Sequence, residues 1–481
     1  MTEAIDDAPE NRQVTVPHSG GKAYYQPNLL FLKAALSLAL LVGLSLPAFA
    51  GEPRPNIIFV FTDDFGYGDL GSYGGQFAPT PNLDRMANEG IRFTQFYVAA
   101  PICSASRAGV MTGMFPGRWR ITSYLHERKA NAQCGSADFL DVKAPSVARL
   151  LKSAGYATGH FGKWHLGGGR DVTDAPHIKE YGFDECASTW ESPDPHPDLT
   201  SANWIWAPTD KVKRWDRTAF FVDQALDFLS RHTNQPCYIN LWPDDTHTPF
   251  VPGPKLSEQY GAKKNYNAEA NFKAVLDEYD RQMGRLFAGL KRLGIDSNTI
   301  VIFSGDNGPL PTYDQRRTAG LRGSKLSLYE GGTRLPLIVR WPDRTPAGRV
   351  NEQTVINAVD LLPSLCRLAG AKVPDDIATR LDGEDLSAAF TGATPVRSKT
   401  LFWEYGRNET AFNFPPNTRN RSPNLAVREG DWKLLVNADG HGAQLYDLSA
   451  DPKEQNDLAA EQKEVATRLS AAVLDWRKSL P

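Results

Sequence analysis

Cysteine is scarce in this sequence. The five present, Cys103, Cys134, Cys186, Cys237 and Cys366, show no C-x-x-C spacing. That excludes the common structural zinc clusters. An excess of basic charge is also missing, since 53 Lys and Arg face 56 Asp and Glu. Nucleic acid and anionic membrane are therefore not expected partners, and any anion recognition must be local. Internal repeats and low-complexity tracts are absent, which excludes solenoids and disordered scaffolds. Long apolar runs are lacking except near the N-terminus. Residues 29–46 are apolar apart from Lys33, and Pro47-Ala48-Phe49-Ala50 follows as a small-x-small cleavage site before Gly51. This reads as a secretory signal behind a long polar leader, over residues 1–50, with an uncleaved membrane anchor as the other reading. Losing that leader, with three basic and four acidic residues, leaves 50 basic against 52 acidic. Secretion or a periplasmic location follows. In an oxidising compartment Cys134 and Cys186, both in loop-like sequence, are able to pair. Cys237, opening a strand, and Cys366, on a helix, read as free buried thiols.

What the chain does carry is an alternation of apolar strands and amphipathic helices. Strands are expected at 55–62, 91–98, 156–161, 237–242, 299–304 and 335–341, each a short apolar run rich in β-branched and aromatic residues. Helices are expected at 144–154, 218–232, 267–293 and 359–368, with another opening at Thr80-Pro81 and closed by Gly90. Such alternation predicts an α/β fold: a large, mostly parallel sheet sandwiched by helices. After residue 395 the pattern changes. Short strands at 401–405, 425–428, 432–436 and 444–446 predict a smaller antiparallel sheet, with a packing helix at 461–476. The expected organisation is thus a leader over 1–50, a catalytic domain over 51–395 and an α+β subdomain over 396–481.

Polar clusters follow the strand runs. Asp63-Asp64 ends the first, Lys163-Trp164-His165 the third, Asp244-Asp245-Thr246-His247 the next, and Asp306-Asn307 the strand after that. In an open α/β sheet these positions share the carboxyl edge, where ligands bind. Asp63, Asp64, Asp306 and Asn307 offer oxygen ligands alone, which suit Ca²⁺ or Mg²⁺ better than zinc. Cys103 stands at a predicted helix start with Arg107 one turn later, among small residues that permit close backbone approach. A helix N-terminus there favours an anion. The irregular stretch 171–217 holds Trp190, Trp204, Trp206 and Trp215. These rings either stack on sugar or plug the loop onto the body.

The segment Cys103-Ser104-Ala105-Ser106-Arg107 resembles the signature of the type I, formylglycine-dependent sulfatases of the alkaline phosphatase superfamily. The resemblance extends from Pro55 to about Asp451. It implies an alkaline phosphatase-like fold and hydrolysis of sulfate esters, with Cys103 oxidised to a formylglycine nucleophile by a maturation enzyme. It implies a Ca²⁺ held by Asp63, Asp64, Asp306, Asn307 and the residue derived from Cys103. Arg107 would stabilise the hydrated aldehyde, and Lys163, His165, His247 and Lys325 would contact the sulfate. Asp306 would accept the nucleophile's proton, His165 would help expel sulfate, and His247 or Lys325 would protonate the leaving alcohol. Position 105 is Ala where the commonest signature has Pro, which leaves the maturation enzyme open. Secretion and the tryptophan-rich stretch favour a sulfated sugar as substrate. A phosphonate monoester hydrolase or phosphodiesterase of the same superfamily, and a non-catalytic glycan-binding module, are the alternatives. Oligomeric state is not legible.

Overall fold

The computed structural model describes residues 54–199, 207–407, 415 and 417–481. The leader reading of 1–50, Trp204 and Trp206 lie outside these residues. Residues 53–481 form one compact unit. Among the described residues no helix is long and apolar enough to cross a membrane.

The main sheet has nine strands: β1 (Asn56–Thr62), β2 (Ile91–Tyr97), β3 (Ala157–Gly162), β4 (Glu185–Ser188), β5 (Cys237–Trp242), β6 (Thr299–Gly305), β7 (Arg334–Arg340), β8 (Arg349–Asn351) and β9 (Ile356–Asn357). Their order is β4-β3-β5-β1-β6-β7-β2-β8, with β9 also beside β2. All seven β1 residues are buried, as expected of a central strand covered on both faces. Alternation along β1 feeds two cores. Ile57, Phe59 and Phe61 join one with Val110, Leu150 and Leu365. Ile58 and Val60 join the other with Leu83, Phe221 and Leu276. Helices Cys103–Thr112, Val147–Ser153 and Leu361–Ala369 thus cover one face, and Pro81–Glu89, Arg217–Arg231 and Glu269–Arg292 the other.

β7 departs from the parallel pattern, pairing antiparallel with both β6 and β2. Two reversals leave β2 parallel to β1. The carboxyl ends of β3, β5, β1, β6 and β2 therefore share one edge. The stretch 171–217, expected to be irregular, contributes β4, an edge strand paired with β3. β8 and β9 were also not legible, being only three and two residues long.

A second sheet, β10 (Leu401–Glu404), β11 (Leu425–Glu429), β12 (Trp432–Val436) and β13 (Gln444–Asp447), is antiparallel throughout. Helix Lys463–Lys478 closes it, burying Leu469 and Val473 against Leu434 and Leu445. Trp403 links the sheets, its Nε1 donating to the Val98 carbonyl at 2.7 Å. The pairing open to Cys134 and Cys186 is not formed, since no disulfide joins the five cysteines. Both side chains pack as small apolar groups against the same core cluster.

Candidate active site

Neighbouring strand ends bring the sequence-predicted residues together. β1 ends in Asp63 and Asp64, and β6, beside it, in Asp306 and Asn307. On the other side β5 delivers His247, and β3 delivers Lys163 and His165. β2 leads into the helix Cys103–Thr112, whose first residue is Cys103 and whose ten residues are all buried. Because β7 is antiparallel, the connection 306–333 begins and ends at this same edge, and Lys325 lies within it.

Arg107 ties the strand ends to one another. Its Nε and Nη2 donate to Asp306 Oδ2 at 3.0 and 2.7 Å, and its Nη1 donates to the Lys163 carbonyl at 2.7 Å. The guanidinium lies over the Trp242 ring, 5.2 Å from its centroid. Lys163 Nζ donates to Asp63 Oδ2 at 2.8 Å, and Lys325 Nζ to both Asp64 oxygens at 2.6 and 2.8 Å. Asn307 Nδ2 donates to Asp64 Oδ1 at 2.7 Å, and the Asp64 amide to Asp306 Oδ1 at 3.0 Å. Asp64 itself has φ of 54°, an uncommon left-handed conformation that turns its amide toward Asp306.

The electrostatics reflect three carboxylates confined with three cations. Burial pushes the Asp63 carboxyl up, but Lys163, Arg107 and Lys325 outweigh it and hold the group well below the usual range. Asp306 is pushed up to about 7 by burial and by Asp63, against Arg107. Burial raises the Cys103 thiol to about 12, with Lys163 and Lys325 opposing. As a plain thiol this residue is a poor nucleophile at neutral pH. Both site histidines are held neutral. Burial with Lys163 and Arg107 lowers His165 well below its ordinary value, and burial with Lys325 lowers His247 to about 4.

Carbonyl partners fix the tautomers of both rings. His165 Nε2 lies 3.1 Å from the Leu125 carbonyl, which only accepts, so Nε2 carries the proton and Nδ1 the lone pair. The Leu125 amide in turn donates to Ser104 Oγ at 2.9 Å, tying this ring to the Cys103 helix. His247 Nδ1 lies 2.5 Å from the Thr248 carbonyl, which leaves its Nε2 as an acceptor, 3.7 Å from Asp64 Oδ2.

The donor set fits a hard cation. Ligand atoms of Asp63, Cys103 and Asp306 lie within 4.8 Å of one another, as do those of Asp63, Asp64 and His247. Asp63 Oδ1 and Asn307 Oδ1 are buried without hydrogen-bond partners, a costly state that a divalent ion would relieve.

Cys103, Lys163, His165, His247 and Lys325 line a cleft of about 360 Å³. Tyr124, His126, Arg170 and Glu191 line it too, and no residue pattern in the sequence marked them. Thr246, whose Oγ1 donates to the Asp63 carbonyl at 2.6 Å, was also missed, although it sits inside the Asp244–His247 motif. Trp190 is only 9% exposed, so it does not present the open ring face expected of a sugar platform. Trp215 lies elsewhere, beside Gly253.

A family model described as Sulfatase matches residues 55–371, and one described as N-sulphoglucosamine sulphohydrolase, C-terminal, matches residues 324–479. An arylsulfatase A of Bos taurus is 31% identical, over 91% of this chain and 89% of its own. An N-acetylgalactosamine-6-O-sulfatase of Bacteroides thetaiotaomicron is 29% identical, over 87% and 92%. A solved structure described under metabolism of multiple glycosaminoglycans by Bacteroides thetaiotaomicron superimposes with a TM-score of 0.73. It has 26% identity and covers 89% of this chain and all of its own.

Proposed function

Because the chain belongs to the sulfatase family and is a sulfuric ester hydrolase, we propose that it desulfates carbohydrate, using formylglycine made from Cys103 beside one Ca²⁺. The observation that carries this is the meeting of Asp63, Cys103 and Asp306 within 4.8 Å, ringed by buried Arg107, Lys163 and Lys325. The carbohydrate class rests on the names of the relatives. The ion and the aldehyde hydrate would supply, respectively, charge neutralisation and a hydroxyl nucleophile, with Asp63, Asp64, Asp306 and Asn307 as the protein's ligands.

The chain's own residues divide the remaining work. Arg107, Lys163 and Lys325 offset sulfate charge from buried positions, where fixed charges act most strongly. His165 holds its lone pair at Nδ1, which suits it to accept a proton. His247 is neutral with its proton engaged by the Thr248 carbonyl, whereas Lys325 stays protonated beside Asp64. Lys325 is therefore the better donor to the departing alcohol.

The test is direct. Mass analysis of the Cys103 peptide should find the aldehyde after expression with a maturation enzyme. The converted protein should hydrolyse 4-nitrophenyl sulfate far faster than a 4-nitrophenyl phosphonate ester. Chelation should abolish turnover, and Ca²⁺ should restore it better than Zn²⁺. Full activity with unconverted Cys103, or in metal-free protein, would sink the proposal.

A further inference from the structure

Four cleft residues, Tyr124, His126, Arg170 and Glu191, stand outside the set assigned to sulfate and the cation, with Glu191 Oε1 3.4 Å from His165 Nε2. Arg170 Nη2 donates to Glu191 Oε1 at 2.7 Å, its Nη1 meets His126 Nε2 at 3.3 Å, and its guanidinium lies 4.8 Å from the Trp190 ring centroid. A guanidinium carries five N–H donors, and these contacts engage two. The side chain is 19% exposed at the cleft wall. Glu191 is 3% exposed, yet its Oε2 has no hydrogen-bond partner. Lys163 Nζ stands 3.7 Å from that oxygen, beyond hydrogen-bond reach. A carboxylate oxygen so buried, ion-paired at a distance but receiving no hydrogen bond, is costly unless a ligand donates to it.

The backbone is shaped to hold this pair. Gly167, Gly168, Gly169 and Arg170 all have positive φ, at 126°, 86°, 72° and 55°. A Cβ on Gly168 would meet the Pro193 nitrogen at 2.3 Å. Only a glycine run lets the chain fold back so closely against 190–193. Trp190, covered by Arg170, is spent on fixing the guanidinium.

On the reading that this enzyme desulfates carbohydrate, we propose that Arg170 and Glu191 form a sugar-hydroxyl subsite beside the sulfate pocket. Arg170 donates to the hydroxyl oxygen, and Glu191 accepts a hydrogen bond from its O–H. Adjacent donor and acceptor suit a hydroxyl, which is both. A second sulfate or a carboxylate would satisfy Arg170 but lie against the Glu191 carboxylate. The preferred substrate therefore carries a free hydroxyl next to the sulfated position.

The experiment compares kcat/KM on sulfated monosaccharides (N-acetylgalactosamine 6-sulfate, glucosamine 6-sulfate and a galactose sulfate) with that on 4-nitrophenyl sulfate, which has no sugar. The wild-type enzyme should prefer at least one sugar. In Arg170→Ala the ratio of sugar to aryl rates should fall by roughly 10–100-fold, the worth of a hydrogen bond to a charged group. Arg170→Lys, which keeps charge but loses the fork, should not restore it. Equal losses on both substrates in both variants, full rescue by lysine, or no wild-type preference for any sugar would overturn the subsite. Failure of the converted wild-type enzyme on every sulfate ester would instead overturn the sulfatase reading beneath it.

Discussion

Arg107 touches three parts of the site, so its replacement should be felt as both lost stability and lost rate. Its guanidinium engages Asp306 through two nitrogens and the Lys163 carbonyl through a third, with Asp63 Oδ1 at 3.7 Å. Every partner is fully buried. Arg107→Ala leaves Asp306 and Asp63 short of a counter-charge, and breaking one side of a buried pair costs about 3–5 kcal/mol. Arg107→Lys restores the charge but cannot reach both Asp306 and the Lys163 carbonyl with planar geometry. We expect denaturant unfolding to show the larger stability loss in the alanine variant. Turnover of 4-nitrophenyl sulfate should be severely reduced in both. An Arg107→Lys enzyme with wild-type turnover would show that positive charge alone suffices there. Arg107 was legible from its place one turn after Cys103 at a predicted helix start and from the signature that segment resembles. Arg170 and Glu191 were not, since their partnership depends on a loop folding back, which no periodicity reports.

At the scale of elements, adjacency of strands accounts for the site. β1, β3, β5 and β6, and the polar motif after each, were legible as apolar runs followed by charged residues. Order within the sheet is set by packing, however, and was not legible. Nor was the reversal of β7, although that reversal returns Lys325 to the Asp64 carboxylate. Gly162, the last residue of β3, shows how tightly neighbouring ends are fitted. Its φ is 129°, and a Cβ there would stand 2.1 Å from the Trp242 carbonyl oxygen, whose partner is the Lys163 amide at 2.9 Å. Gly162→Ala should therefore push β3 from β5 and displace Lys163. We expect a cost of roughly 2 kcal/mol or more from strain and overlap. Thermal unfolding should report that cost, together with a fall in kcat on an aryl sulfate. Unchanged melting would mean that the strand ends yield more readily than their packing implies.

Across the whole molecule, the small sheet is joined to the site's own connection by buried charge. Lys433 on β12 donates to Glu330 Oε1 at 2.8 Å and lies 3.0 Å from Glu454 Oε1. The Glu330 amide donates to Glu454 Oε2 at 2.7 Å, Tyr97 OH on β2 donates to Glu330 Oε2 at 2.7 Å, and Arg322 reaches the Glu454 carbonyl at 3.0 Å. Burial raises Glu454 to about 7 despite Lys433, with Glu330 adding to the rise. Burial also pushes Glu330 upward, but Lys433, Arg334 and Arg428 outweigh it and leave the group lowered. The signs differ accordingly. The Glu330 contribution is present above its unfolded value and lost as pH falls. The Glu454 contribution is fullest below its unfolded value and fades as pH rises toward about 7. Lys433→Met removes the shared cation, so both carboxyls should then take protons more readily in the folded state than in the unfolded one. The variant should lose about 3–5 kcal/mol near pH 8, the cost of an uncompensated buried charge. It should recover part of that loss near pH 5, where the carboxyls are protonated. Denaturant unfolding at the two pH values checks the sign, and proteolysis within 396–481 checks whether the small sheet loosens first. A deficit equal at both pH values would assign Lys433 to packing through its methylene stem, and the charged junction would then hold nothing together.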